Sequence, residues 1–327
     1  MPIPELDGVG VLVTGGAGFI GSHLVDALVE RGARVRVLDN FDTGSARNLA
    51  HRQGETELVE GDIRDLETCH EATAGVAYVF HQAALGSIPR SIDDPVTSLA
   101  VNVQGSVNVF TAAREAGARR VVYASSSSVY GDHPGLPKRE AEIGEPLSPY
   151  ALSKAMNEEL ARVFQLTYGQ EIVGLRYFNV YGARQSPDGP YAAVIPRFFQ
   201  ALLTGERPTI YGDGEQSRDF TAVSDAVAAN LLAAGAPSAA AGQAFNVAGG
   251  RQTSVNELAT AVADILGSDL EPHHEPPRAG EVRHSLADLS RASEFLGYSP
   301  ETDLETGLGA CREYYEGLFA TAAAGDD

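Results

Sequence analysis

The chain has 327 residues, of which 43% are hydrophobic, enough for a large core and one or two domains. Its formal charge of −20 argues against nonspecific binding to nucleic acid or to an anionic membrane. No run of about 18 apolar residues occurs, so no membrane-spanning helix is expected, and MPIPELDG at the N-terminus lacks the basic and apolar regions of a signal peptide. Two distant cysteines, Cys69 and Cys311, lack metal-ligand spacing and read as free thiols of a reducing, cytoplasmic compartment; no metal is expected. Lysine occurs only at Lys138 and Lys154 among 24 basic residues. An acidic, lysine-poor surface fits adaptation to high salt and fits a GC-rich genome equally well.

In chain order, short apolar runs rich in Val and Tyr predict strands at 10–15, 34–39, 56–62, 76–82, 119–125 and 171–177. Helical patterns fall between them near 19–31, 93–116 and 150–168. This alternation predicts an α/β, Rossmann-type doubly wound parallel sheet covered on both faces. After about residue 180 the pattern changes to more Pro and Gly, short strands and scattered helices. The expected organisation is a dinucleotide-binding domain over 1–180, with a segment near 220–248 returning to it, and a smaller C-terminal α/β substrate-binding domain over 181–327.

The run VLVTGGAGFIGSHL follows the first strand and opens the first helix with Gly15, Gly18 and Gly21 at G-x-x-G-x-x-G spacing. Gly15 permits a tight turn and Gly18 lets the backbone approach a pyrophosphate that the helix N-terminus favours. Gly21 permits close helix–strand packing. A ligand-free glycine-rich turn is the competing reading of the motif alone. Context narrows it. The second strand ends at Asp39, about 20 residues on, where a carboxylate accepts both adenosine ribose hydroxyls and repels a 2′-phosphate. NAD is therefore favoured over NADP. Asp62 and Ile63 follow the third strand as an edge for the adenine. Gln82, Ala83 and Ala84 follow His81 at the end of the fourth strand, where small residues let a cofactor lie flat; His81 itself reads as a packed, hydrogen-bonded residue.

SPYALSK places Tyr150 and Lys154 at i and i+4, on one face of a helix. A free tyrosine, with a pKa near ~10, is a poor base at neutral pH. A neighbouring ammonium and a cationic nicotinamide would favour its phenolate and make it a usable acid/base beside a hydride acceptor. An exposed helix start, capped by Ser148 with solvated Tyr150 and Lys154, is the plainer alternative. The glycine motif, Asp39 and the serine-ended fifth strand weigh against it. An arginine could not substitute for a compact ammonium reaching both ribose and phenolate.

The segments TGGAGFIGSHL, SSSSVYGD, SPYALSK, RYFNVYG and GDGEQSRDF resemble the extended short-chain dehydrogenase/reductase family over nearly the whole chain. Within it the chain is similar to the nucleotide-sugar 4-epimerases, and LGSIPRS and ARQSPDGPYAAVIPRF look closest to the branch acting on UDP-N-acetylglucosamine. The resemblance implies UDP as the nucleotide, tightly held NAD, and a homodimer. It also implies a mechanism of transient C4 oxidation, with no role for nucleic acid or membrane. By position it implies catalytic roles for Ser126, Tyr150 and Lys154. Implied cofactor contacts include Phe19, Ile20, Asn40, Asn102, Ser125 and Tyr177, with Tyr150 and Lys154 shared between catalysis and cofactor. Implied substrate contacts are Ser87, Ser126, Ser127, Tyr150, Asn179, Ala193 and Val194, with Arg218 and Arg278 on the diphosphate, since guanidinium binds phosphate bidentately. A surface ion pair is the alternative for each arginine alone. The helix candidates 93–116 and 150–168 resemble the family's dimer interface, although core packing explains Val103, Val107 and Phe110 equally well.

Related 4,6-dehydratases carry an Asp-Glu pair, and UDP-glucuronate decarboxylases a Glu, where this chain has Ser127 and Ser128. Eliminating water needs a positioned acid and base, so the resemblance favours epimerisation over those two reactions and over a non-catalytic dinucleotide sensor. The resemblance further implies that Ser285, seven residues after Arg278, holds the position where a large residue restricts the sugar C2 substituent in these epimerases. A small residue admits an N-acetyl group without excluding plain hexoses, so UDP-GlcNAc/UDP-GalNAc interconversion is expected, with UDP-Glc/UDP-Gal as a weaker activity.

Overall fold

A computed structural model describes residues 3–187, 192–277 and 283–323. The chain divides into two compact units. The first comprises Met1–Tyr177, Ala226–Val247 and Asp288–Ser299; the second comprises Phe178–Asp225, Ala248–Ala287 and Pro300–Asp327.

The first unit is built on a seven-stranded, all-parallel sheet. Its strands are β1 (Gly10–Thr14), β2 (Arg34–Asp39), β3 (Thr56–Glu60), β4 (Tyr78–His81), β5 (Arg120–Ser126), β6 (Ile172–Tyr177) and β7 (Ala244–Val247). Their spatial order is β7-β6-β5-β4-β1-β2-β3. This is the doubly wound Rossmann arrangement, and it explains the composition of the strands. Every residue of β4 and β6 is buried, because helices cover both faces of a parallel sheet and leave no polar side. The edge strand β3 is partly exposed. One helix-bearing face packs Val109, Phe110 and Phe164 against Leu12, Val79, Val121 and Tyr123.

The helices α1 (Phe19–Val29), α2 (Leu66–Thr73) and α6 (Pro149–Tyr168) are single elements. Helix α6 begins as SPYA suggests. The Ser148 hydroxyl accepts the Ala151 N–H at 3.1 Å, Pro149 occupies the first turn, and Gly169 ends the helix at φ +69°. The helix expected near 93–116 runs from Pro95 to Glu115 with a π-helical turn inside it, and a separate short helix precedes it. The elements are α3 (Ile88–Asp93), then α4 (Pro95–Leu99), the π-helical turn (Ala100–Gln104) and α5 (Gly105–Glu115), the last three continuous through helical junctions. Pro95 has no N–H to continue α3, and Asp94 accepts the Thr97 N–H to start α4 anew. Phe110 is fully buried in the core of the first unit, so it belongs to packing and not to an exposed face.

The second unit has its own core. Ile195, Phe198 and Phe199 of α7 (Val194–Leu203) meet Leu258 and Val262 of Val255–Leu266, and Leu308, Cys311 and Tyr315 of Leu304–Ala323. A capping box between Ser254 and Glu257 starts the middle helix. Among the described residues no helix is long and apolar enough to cross a membrane, and no group of side chains has the makings of a metal site.

Candidate active site

The turn after β1 is shaped by glycine at two places. Gly15 has φ +69°, and a Cβ there would lie 2.6 Å from the Ala83 nitrogen. The Cβ of a residue at 21 would lie 2.0 Å from the Gly15 carbonyl oxygen. The turn therefore abuts the end of β4, and α1 starts directly beneath it. Gly18 occupies the N-cap without a side-chain cap, and no acidic residue stands in the first turn. The opening N–H groups of α1, at Phe19, Ile20 and Gly21, are thus left to an anion.

Asp39 ends β2 and is buried. Its carboxylate accepts the Ala17 N–H at 2.9 Å and the Phe41 N–H at 2.8 Å. Burial raises its pKa, while those backbone donors work in the opposite sense. Asn40 donates to Asp62 at 3.0 Å, and Arg64 grips the same carboxylate through two nitrogens. That guanidinium, above all, brings the Asp62 pKa down to about 2, although partial burial opposes it. The Ile63 side chain points into the core, where a Cβ at Gly105 would meet it at 2.5 Å. After β4, Gln82, Ala83 and Ala84 are half-buried. Gln82 donates to Asn230 and accepts from the Tyr177 hydroxyl, which itself accepts from Asn230 at 2.6 Å. Burial raises the Tyr177 pKa to about 12, so its phenol stays protonated. Asn102, from the π-helical turn, holds both the N–H and the carbonyl of Leu85 and also reaches Ser153. Its amide thereby fixes the segment that follows β4. Together these residues bring an anion-ready helix start and an acidic strand end to the same end of the sheet, a good match to a dinucleotide.

At the end of β5 the four serines diverge. Ser125 is buried and donates to Glu158 of α6 at 2.5 Å, so its side chain is turned toward that helix. Ser126 accepts the Ser128 N–H at 3.1 Å, capping the 3-10 turn Ser127–Tyr130. The Ser126 hydroxyl lies near enough to the Tyr150 phenol to pull its pKa downward. Ser127 is half-buried, and the Ser128 hydroxyl is enclosed without a hydrogen-bond partner. Ser87 caps α3 by accepting the Arg90 N–H. Ser91, one turn on, accepts the N–H of Tyr150 at 3.1 Å.

Lys154 is buried one turn along α6 from Tyr150. Its ammonium donates to the Ala124 carbonyl at 2.8 Å and lies 5.9 Å from the centroid of the Tyr150 ring. Burial brings its pKa down to about 8. The lowered tyrosine pKa expected from sequence is not what the protein alone provides. Burial raises it, and the nearby Ser126 hydroxyl opposes the rise. His81 accepts from Thr14 on one ring nitrogen and meets Ser106 on the other, at 2.7 and 3.0 Å. Burial, with the nearby Lys154 charge, pulls its pKa to about 3. It is a neutral structural residue, as its position at a strand end suggests.

Within the second unit, Asn179 adopts φ +34° and donates to the Asp219 carbonyl at 3.1 Å. Arg218 donates to the Ser217 carbonyl at 2.9 Å, and the same carbonyl accepts the Ser285 N–H at 3.1 Å. One strand thus gathers Arg218 and Ser285. Ala193 is exposed and begins α7 ahead of Val194. Arg278 lies outside the described residues. Asp219 has no counterpart in the sequence reading. It is fully buried and accepts the Ala287 N–H at 3.1 Å, with backbone N–H groups of Gly249, Gly250 and Arg251 also turned to it. Burial nonetheless raises its pKa to about 6. Glu158 was also missed, although it stands at i+4 from Lys154, where an acidic residue on the same helix face is a visible signal.

A profile of the NAD dependent epimerase/dehydratase family matches residues 11–248. A UDP-glucose 4-epimerase of Mycolicibacterium smegmatis is 42% identical over 308 residues, covering 93% of this chain and 97% of that one. The solved UDP-N-acetylglucosamine 4-epimerase of Methanobrevibacter ruminantium, in complex with UDP-N-acetylmuramic acid, is 38% identical with a TM-score of 0.91 over 96% of this chain and 100% of its own. A UDP-glucose 4-epimerase of Thermotoga maritima, solved with UDP-glucose, is 38% identical with a TM-score of 0.89 over 95% and 100%.

Proposed function

Because this chain belongs to the NAD dependent epimerase/dehydratase family, we propose that it is a UDP-sugar 4-epimerase that interconverts UDP-GlcNAc and UDP-GalNAc, with UDP-Glc/UDP-Gal as a weaker second activity. The observation that carries the reading is the buried Lys154 ammonium, 5.9 Å from the Tyr150 ring centre and bonded to the strand that Ser126 ends. The 4-epimerase names of its relatives support the reaction. The UDP-N-acetylglucosamine enzyme among them and the small Ser285 side chain support the N-acetylated substrate.

Residues Gly15, Gly18, Phe19, Ile20 and Gly21 receive the cofactor's pyrophosphate, and Asp39 its adenosine ribose. NAD, when bound, supplies the acceptor for the C4 hydride and gives it back. Tyr150, as phenolate, takes the proton of the sugar C4 hydroxyl, and Ser126 holds the hydroxyl and the phenol in line. Lys154 favours the phenolate electrostatically. The proton then rests on Tyr150 until the 4-keto sugar has presented its other face, and Tyr150 returns it to the C4 oxygen. Arg218 takes the substrate diphosphate, leaving the sugar free to turn, and Arg278 is assigned the same task. Ser127 and Ser128 offer hydroxyls where elimination would need carboxylates, which favours epimerisation over dehydration or decarboxylation.

We also assign a homodimer formed through α3, α4 and α6. Ile92, Val96, Leu152, Met156, Val163 and Leu166 are exposed on these helices, Val96 to 77% and Leu166 to 72%. Both cysteines are buried free thiols, which suits the cytoplasmic setting expected from sequence.

The deciding experiment offers UDP-GlcNAc and UDP-Glc separately to purified protein with no added NAD, with products read by NMR. Interconversion of the N-acetylated pair supports the proposal. A stable 4-keto product would overturn it, as would CO2 released when UDP-glucuronate is offered in a third reaction.

A further inference from the structure

Tyr150, Lys154 and Glu158 follow one another at intervals of four along α6, and each meets the sheet at a different point. Tyr150 reaches Ser126, Lys154 reaches the Ala124 carbonyl, and Glu158 reaches two strands at once. One Glu158 oxygen accepts from Ser125 at 2.5 Å and from Arg176 Nε at 2.8 Å. The other accepts from Arg176 Nη2 at 2.7 Å. Ser125 and Arg176 are register partners across β5 and β6, so the carboxylate spans the ends of both strands. Arg176 is itself buried, donates from Nη1 to the Glu140 carbonyl at 3.1 Å, and lies 5.0 Å from the centre of the Tyr130 ring. Tyr130 closes the 3-10 turn that Ser126 caps, and its hydroxyl donates to Asn246 at 2.7 Å.

We infer that Glu158 is a positioning residue for Tyr150: its carboxylate clamps α6 to the ends of β5 and β6 and so sets the alignment of the Tyr150 phenol with Ser126. The inference rests on the acid/base role proposed for Tyr150. A bidentate carboxylate–guanidinium pair fixes orientation as well as distance. The pair grips the residue immediately before Ser126 and, through Arg176, the aromatic ring at the far end of the same turn. Both partners of the Tyr150–Ser126 contact are therefore held by one group. Supporting contacts of this kind determine whether a reacting group sits at productive distance, and small displacements are expensive in rate.

Glu158→Ala would leave a buried guanidinium unpaired and threaten folding. The test therefore uses Glu158→Gln, which keeps shape and one acceptor, and Ser125→Ala, which leaves the ion pair intact. Both are assayed as full-length, cofactor-loaded enzyme, with rates per folded molecule. Glu158→Gln is expected to lower kcat by about tenfold or more, Ser125→Ala by less, with KM held within about twofold. The acid limb of the kcat profile is expected to move to higher pH in both, because a misaligned Ser126 no longer favours the phenolate. A lowered Tm with unchanged kcat and unchanged pH profile in both variants would reduce Glu158 to a structural brace and overturn the inference. Tyr150→Phe runs alongside. If it retained turnover, the acid/base reading would fall, an outcome distinct from an inactive Tyr150→Phe beside a normal Glu158→Gln.

Discussion

The Lys154 ammonium lies 5.9 Å from the centre of the Tyr150 ring and hydrogen-bonds the backbone of the strand that carries Ser126. An ammonium that is held by a carbonyl and enclosed by the core acts on the phenol through space. It also carries the cost of its own burial.

Tyr150→Phe removes the proton acceptor and leaves the ring. Turnover is expected to fall by about 10²–10⁴, the usual range for a lost general base, with KM for the UDP-sugar little changed. Initial rates at saturating substrate would decide it, and wild-type turnover would remove Tyr150 from the mechanism.

Burial lowers the Lys154 pKa from 10.5 to about 8. Between those values the unfolded chain binds more protons than the folded one, so this group makes stability rise with pH across that window. At pH 7 the charged, buried ammonium is a net cost. Lys154→Met is therefore expected to abolish turnover while stabilising cofactor-stripped protein at pH 7 by an amount on the order of 1–3 kcal/mol, seen as a higher Tm. That advantage should vanish above pH 10. Thermal melts of both proteins across pH 7–10 provide the check, and a variant less stable at every pH would contradict it.

Asp39 both faces the expected adenosine ribose and holds the Ala17 and Phe41 N–H groups. Asp39→Ala should weaken NAD binding by about 10–100-fold, the worth of charge-assisted hydrogen bonds, and narrow the preference for NAD over NADP. Calorimetric titration of cofactor-stripped protein with each dinucleotide measures both effects. An unchanged NAD/NADP ratio would remove Asp39 from ribose recognition.

Ser285 leaves room at the position assigned to the C2 substituent, in a segment tied to the Arg218 strand through Ser217. Ser285→Tyr should cost about 10–100-fold in kcat/KM for UDP-GlcNAc while sparing UDP-Glc, a steric discrimination of ordinary size. Equal losses on both sugars would count against a gate at this position.

The sheet was readable from sequence because buried parallel strands concentrate Val, Leu and Tyr into runs that little else produces. The glycine spacing and the Tyr150–Lys154 interval were readable for a similar reason: both are local. The break between α3 and α4 was present in Asp94–Pro95, whereas nothing local in the sequence marks the π-helical turn at Ala100–Gln104. The strand Ala244–Val247 is only four residues long and is a strand by virtue of its partner β6. Glu158 and Asp219 escaped because their roles depend on register. Ser125 meets Arg176 only once β5 and β6 are paired, and the carboxylate of Asp219 finds its backbone donors only once segments 249–251 and 287 come round to it. No window of sequence contains either relationship.

One chain of hydrogen bonds runs from Thr14 through His81 to Ser106, where Asn157 of α6 also donates, and from Ser106 to the Asn102 carbonyl. It joins the strand before the glycine turn to the helix of Tyr150 and Lys154, using groups that are all buried. On the proposed reading, a substitution that loosened this buried chain would disturb the cofactor turn and the helix of Tyr150 and Lys154 at the same time.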